Sequence, residues 1–113
     1  MSIAADLIRG HTETIILAQL LDRDSYGYEI NKAVRSISAE RYELKEATLY
    51  TAFRRLEENG WILSYWGSEV TGARRRYYRI TPEGREAYAR QLADWYEARD
   101  ILEKLMGGAD TDV

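Results

Sequence analysis

Three consecutive arginines, Arg74, Arg75 and Arg76, form the strongest run of positive charge in this 113-residue chain. Adjacent like charges repel one another, so such a run is best explained by an anionic partner such as phosphate. The alternative is a solvated strand in which Glu69 offsets part of the charge. The run therefore predicts a phosphate-binding surface, with a solvated strand as the competing interpretation.

The charge of the whole chain gives the opposite impression. The formal net charge is −3, which argues against a nucleic-acid partner. However, residues 41–80 contain eight basic and five acidic side chains, so this segment carries +3 and the remainder carries −6. A basic middle between acidic ends suggests that one face touches a polyanion while another has a different role. Ordinary scatter of surface charge is the alternative.

Catalytic and metal-binding chemistry has little support in the composition. The chain has no cysteine, a single histidine, His11, and no glycine-rich phosphate loop. No group of acidic residues and histidine has metal-ligand spacing, so we expect neither an enzyme nor a cofactor or metal. His11 precedes a helix start and is expected to be an exposed turn residue. Because membrane-length apolar runs and a signal-peptide pattern are lacking, we expect a single cytoplasmic domain.

Apolar residues at helical spacing predict three helices in the first half of the chain. The expected ranges are 12–21, with Thr12 as the N-cap; 24–38, starting at Asp24 or Ser25; and 45–59. The apolar positions that define them are Ile16, Leu17, Leu20 and Leu21; Tyr28, Ile30, Val34 and Ile37; and Leu49, Phe53 and Leu56. Apolar residues also allow the first helix to extend backwards over residues 3–8, although Gly10 opposes this.

The second half predicts a β-hairpin followed by one long helix. Aromatic and β-branched residues over 61–66 and 74–80 flank the turn-forming segment 67–72. Thr81 and Pro82 then have the residue types of an N-cap and a first helical position, and the helix is expected to reach about Met106. The predicted divisions are a DNA-binding domain over 1–81, a dimerisation helix over 82–106 and a flexible tail over 107–113.

Three helices followed directly by a hairpin are the element order of a winged helix-turn-helix domain, which is mainly α with a small β-hairpin. In that fold the third helix enters the major groove and the hairpin, or wing, meets the DNA backbone. The arginine run then lies where the wing meets the duplex, which favours phosphate contact over the solvated strand. The predicted DNA-contacting residues are Lys45, Thr48, Tyr50, Thr51, Arg54, Arg74, Arg75 and Arg76.

The long final helix cannot bury its apolar residues on so small a core, so the sequence predicts a homodimer. The predicted dimerisation residues recur at near-heptad spacing and are Tyr88, Leu92, Trp95, Leu102, Leu105 and Met106. A two-fold dimer would present two recognition helices to a palindromic operator. Arg99 interrupts the apolar pattern and either faces the partner or a cavity, or pairs with Glu103 or Asp94.

Motifs along nearly the whole chain resemble those of PadR-family transcription regulators, in particular the small, LmrR-like subfamily. The matching segments are 25–30, 42–50, 54–57, 64–67 and 72–81, together with Gly60 and Gly84. The resemblance implies a dimer that binds DNA, represses a nearby promoter and releases it when a small molecule binds.

Trp95 has two interpretations. Its spacing alone favours packing in the dimer core, whereas the resemblance implies that it lines a slot that stacks on planar aromatic molecules. Leu7, Leu92 and Arg99 are the other predicted ligand-binding residues. Arg99 stands where LmrR has an acid, which leaves neutral, anionic and cationic aromatics open.

Two further alternatives remain. In the first, the protein is a repressor whose dimer interface is filled by side chains and has no ligand site. In the second, the winged helix serves only protein–protein contact, as the acidic net charge allows.

Overall fold

The computed structural model describes residues 3–68 and 74–107, and for Ile3 only the backbone. Within these ranges the elements are α1 (Ile3–Arg9), α2 (Thr12–Gln19), β1 (Ser25–Tyr26), α3 (Gly27–Ile37), α4 (Glu46–Glu58), β2 (Ile62–Trp66), β3 (Arg76–Ile80) and α5 (Pro82–Met106). This is the predicted mainly helical fold with a small antiparallel sheet and a long final helix. No helix in the described part of the chain combines the length and the apolarity needed to cross a bilayer. The predicted tail after Gly107 lies outside the described residues.

The helix predicted over 12–21 is α2, and the apolar stretch before it forms a separate helix, α1, because the chain is interrupted at Gly10 and His11. The expectation that Thr12 is an N-cap is wrong, because His11 holds that position and Thr12 is already helical. The Thr12 hydroxyl instead donates to the carbonyl oxygen of Arg9, 2.7 Å away, and so ties the end of α1 to the start of α2. The apolar residues of α2 are placed as expected, with Ile16 and Leu17 fully buried.

The second predicted helix starts later than expected. Ser25 and Tyr26 form the short strand β1, which pairs with Tyr78 and Tyr77 of β3, so α3 begins at Gly27 rather than at Asp24 or Ser25. The hairpin is therefore part of a three-stranded sheet with the order β1-β3-β2. Two residues are too short a run to show the alternation that identifies a strand in a sequence.

The core lies between α2, α3, α4 and the inner face of the sheet. Leu49, Phe53 and Leu56 of α4 are buried in it, as their spacing predicts. Tyr78 of β3 stacks on Phe53 with ring centroids 3.9 Å apart. Tyr78 and its inward neighbour Ile80 are buried, whereas the alternating residue Arg79 is exposed, so this strand has one buried and one exposed side.

The start of α5 is fixed by its cap and by close packing. The Thr81 hydroxyl accepts a hydrogen bond from the backbone nitrogen of Gly84 at 3.0 Å, as the Thr81-Pro82 pair predicts. A Cβ on Gly84 would lie 2.0 Å from the carbonyl oxygen of Trp61, so only glycine permits this contact between α5 and the residue before β2. The far end of α5 is different, since every residue from 93 to 107 is exposed.

Candidate nucleic-acid interface and ligand groove

The outward face of α4 carries the predicted base-reading residues. Thr51 and Arg54 are exposed, and Thr48 is half-buried at the side of the helix. Lys45 is exposed directly before the first turn of the helix. Small hydroxyls allow a helix backbone to approach base edges, while arginine and lysine reach guanine edges or phosphates. This face therefore has the side chains that a major-groove helix needs.

Tyr50, the remaining candidate on α4, lies beside the sheet rather than on the outermost face. Its ring meets Phe53 edge-on at 5.5 Å. A Cβ on Gly27 would come within 2.8 Å of the Tyr50 hydroxyl, so Tyr50 packs over the start of α3. Nearly half of its surface is still exposed, on the side of α4 that faces the strands.

The three wing arginines are exposed and lie over aromatic rings. The guanidinium carbons of Arg74 and Arg76 are 5.5 and 5.4 Å from the ring of Trp66, and that of Arg75 is 4.9 Å from the ring of Tyr26. Stacking orders an arginine side chain while its N–H groups continue to face outward. The wing thus presents fixed positive charge, and the alternative pairing with Glu69 lies outside the described residues.

A polar cluster that the sequence did not reveal braces the wing. The Arg79 guanidinium donates to the Asp24 carboxylate at 3.0 Å, and the Tyr65 hydroxyl donates to the same carboxylate. Burial by itself would raise the pKa of Asp24, but the hydrogen bonds from Arg79 and Tyr65 outweigh it and hold that pKa below its ordinary value. The same contact raises the pKa of Tyr65. In the sequence Asp24 has the residue type of a helix start. Nothing near it in the sequence indicates that it pairs with Arg79, 55 residues away.

Trp95 lies at the boundary between two grooves. The edge of the His11 ring meets it at a centroid distance of 5.1 Å, and 37% of its surface is exposed. On one side is an apolar groove of about 370 Å³, lined in part by Ile8, Ile15, Ile37, Tyr88 and Leu92. On the other is a more polar groove of about 830 Å³ that reaches Thr48 and Thr51 of α4. Two predicted ligand-binding residues, Trp95 and Leu92, are therefore brought together.

The other two predicted ligand-binding residues lie elsewhere in this single chain. Leu7 is exposed on α1 and lines neither groove beside Trp95. The Arg99 guanidinium lies 5.1 Å from the ring of Tyr96, so its contact in the described residues is this ring rather than Glu103 or Asp94. His11 is exposed, as expected, but its ring contact with Trp95 was not predicted. Among the described residues, no three His, Cys, Asp or Glu side chains cluster as a metal site would require.

The winged-helix fold and its basic face define a class of DNA-binding regulators, and comparison with known proteins identifies the family. The model of the PadR-like family of transcriptional regulators matches residues 16–90. The chain belongs to this family, and its role is DNA-binding regulation of transcription.

Individual relatives support the same assignment. A transcriptional regulator from Clostridium thermocellum superposes with a TM-score of 0.83 at 50% identity, covering 91% of this chain and 97% of that one. A PadR family regulator from Clostridium difficile superposes with a TM-score of 0.73 at 32% identity, covering 86% and 99%. An uncharacterised protein from Lysinibacillus sphaericus is 38% identical over 108 residues, covering 96% of this chain and 99% of that protein.

Proposed function

We propose that this PadR-family protein is a homodimeric repressor of the LmrR-like type that binds a palindromic operator and is released by a planar aromatic molecule at the dimer interface. The observation that carries the proposal is the exposed apolar side of α5. Leu102 is 46% exposed, Leu105 77% and Met106 73%, on a helix whose last 14 residues are all exposed. Apolar groups at helical spacing gain stability when a partner removes them from water.

The second copy is the partner that best fits this surface. The exposed residues continue the near-heptad pattern that begins at Tyr88 and Leu92, and these two line the apolar groove beside α2 and α3. A two-fold arrangement buries the same stripe on both chains at once, so one set of residues serves both sides of the interface. It also presents two copies of α4 to successive turns of one DNA duplex.

Contacts between helices supply a path by which a ligand at Trp95 affects DNA binding. The Thr14 hydroxyl donates to the side-chain oxygen of Gln91 at 2.5 Å, one turn before Trp95. The neighbouring residue, Glu13, forms an ion pair with Arg55 of α4 at 3.3 Å. The first turn of α2 thus touches both the helix that carries Trp95 and the recognition helix. A ligand that moves α5 changes the position of α4 through this turn.

A mobility-shift assay on the DNA upstream of the gene tests the proposal. We expect wild type to shift this DNA as a dimer, and planar aromatic compounds to reverse the shift. Replacing Arg74, Arg75 and Arg76 together with alanine should abolish the shift, because these residues carry the charge of the wing. The matched control replaces Arg23, Arg85 and Arg90 with alanine. This triple variant loses the same amount of charge, but from surfaces other than the wing.

Two outcomes favour the alternatives. If the wing variant binds DNA as well as wild type does, the interpretation of the winged helix as a protein–protein interaction module is favoured. A dimer that binds DNA but ignores every planar aromatic, with unchanged tryptophan emission, would favour a repressor whose interface is packed solid.

A further inference from the structure

A second concentration of positive charge lies beside the start of α4, away from the wing. A groove of about 320 Å³ is lined by four cationic side chains: Arg9, Arg35, Arg41 and Lys45. They come from α1, from α3, from the turn between α3 and α4, and from the residue before α4. Separate parts of the chain therefore converge on one groove, whereas in the sequence these charges look like scattered surface residues.

The charges of this groove are only partly neutralised. Glu40 and Glu43 also line it, and both pair with Arg35, at 3.1 and 4.0 Å from its Nε atom. Within residues 3–68 and 74–107, neither Arg41 nor Lys45 forms a salt bridge. Arg9 pairs with Asp6 of the same helix. Four cations therefore face three carboxylates, and the positive charge that is left over belongs to Arg41 and Lys45. A site of this kind favours an anion.

The backbone that carries Arg41 is held in place by side-chain hydrogen bonds. The Asn31 side chain accepts from the backbone nitrogen of Leu44 at 2.8 Å and donates to its carbonyl oxygen at 2.9 Å. The Ser38 hydroxyl accepts from the backbone nitrogen of Tyr42 at 3.0 Å. The Nε atom of Arg41 donates to the Ser38 carbonyl oxygen at 3.2 Å. The positive charge is thus presented from an ordered turn.

Helix geometry places this groove and the wing on opposite flanks of α4. Thr48 lines the groove, whereas Tyr50 packs against Phe53 on the side of the strands. Each is about 100° around the helix from the buried residue Leu49, in opposite directions. A helix in the major groove, which is about 12 Å wide, has one DNA backbone on each flank. With α4 in the major groove, the wing would meet one backbone and the groove would face the other.

We propose that this groove binds a backbone phosphate of the operator, so that α4 is held from both sides while it reads the bases. The inference rests on the proposed function, because it requires the duplex to lie along α4. Arg41 supplies the unpaired charge that is new to the DNA-binding surface, and Lys45 joins the groove to the recognition helix. Arg9 adds a cation whose charge Asp6 partly offsets. These contacts position the helix and carry no base specificity.

The salt dependence of DNA binding tests this directly. The slope of log K against log salt concentration is negative, and each lost phosphate contact lowers its magnitude by about 0.9. We expect Arg41→Ala to lower the magnitude of the slope by about 1. Arg9→Ala should lower it by less, because Asp6 partly offsets the charge of Arg9, and the double variant should show the sum of the two effects. Binding should weaken by the same factor on operator and on unrelated duplex. Arg41→Lys, which keeps the charge, and Arg90→Ala, which removes a charge from α5, should leave the slope unchanged.

Several results would overturn the proposal while leaving the proposed function intact. One is a wild-type slope in both single variants and in the double variant, provided that their melting temperatures show them to be folded. Another concerns inorganic phosphate, compared with chloride at equal ionic strength. The proposal fails if phosphate stabilises wild type but not Arg41→Ala while the two proteins have the same salt slope of DNA binding. That pattern assigns the groove to a free anion. If wild type itself fails to bind any duplex, the proposed function fails and this inference fails with it.

Discussion

Helix α4 and the distal half of α5 have similar apolar spacing but opposite surroundings. In α4, Leu49, Phe53 and Leu56 are buried against other elements of the same chain. In α5, Leu102 and Leu105 are exposed at the same kind of spacing. The apolar face of α4 is thus covered within one chain, whereas that of the distal half of α5 is left exposed. The difference shows that helical periodicity identifies an apolar face but does not identify what covers it.

The largest effect is expected from removing Phe53, whose ring supports both α4 and β3. Phe53→Ala leaves a cavity beneath Tyr78 and should lower the free energy of unfolding by about 3–5 kcal/mol. The comparison variant is Leu105→Ala, which should change the stability of the monomer by less than about 0.5 kcal/mol, because Leu105 is exposed. Urea denaturation at a protein concentration below the dimer dissociation constant measures both. Equal losses in the two variants would remove the distinction between the halves.

Charge on the distal part of α5 should act on assembly instead of folding. Replacing Leu102 with glutamate buries a charge in each copy of the proposed interface, which should weaken the dimer by about 2 kcal/mol or more. Sedimentation velocity at several concentrations measures the dissociation constant, with Glu103→Gln as a neighbouring control. A dimer as tight as wild type would place the interface elsewhere.

Trp95 tests whether the interface also holds a ligand. The chain has three tryptophans, so a Trp66→Phe background is used to remove the emission of the exposed wing residue. We expect a planar aromatic compound to quench emission in this background and to leave the additional Trp95→Ala variant unaffected, because stacking requires the indole ring. Identical titration curves in the two proteins would assign the signal to Trp61 and exclude a slot at Trp95.

The smallest effect concerns the ion pair that braces the wing. The pKa of Asp24 is lower in the folded chain than its ordinary value of 3.8. The ion pair with Arg79 therefore stabilises the fold fully above pH 3.8, and this stabilisation is lost as pH falls through the folded-state pKa. The melting temperature of wild type should therefore fall further than that of Asp24→Asn as pH falls below 3.8. Asp22→Asn, at an exposed position nearby, is the matched control. Parallel pH profiles for wild type and Asp24→Asn would show that the ion pair does not stabilise the fold.

Sequence reasoning succeeded where the signal is local. The start of α5 follows from Thr81 and Pro82, since a hydroxyl cap and a fixed φ act on the adjacent backbone. The range of α4 follows from the spacing of Leu49 and Phe53 together with its glycine-containing end. The same reasoning misplaced Thr12, because its hydroxyl donates to the carbonyl oxygen of Arg9 at the end of α1 and the N-cap of α2 is His11.

Contacts between distant residues came only from the tertiary structure. Asp24 contacts Arg79 because β1 pairs with β3. Neither residue has a property from which the pairing of the two strands can be predicted. The basic groove likewise exists because the fold brings α1 and the turn before α4 to one groove, which both Arg9 and Arg41 line. The sequence by itself determined the range of α4, the capped start of α5, the arginine run and the resemblance to the family, since these depend on neighbours along the chain. The folded chain decided which charges lie together, since electrostatic attraction depends on distance in space.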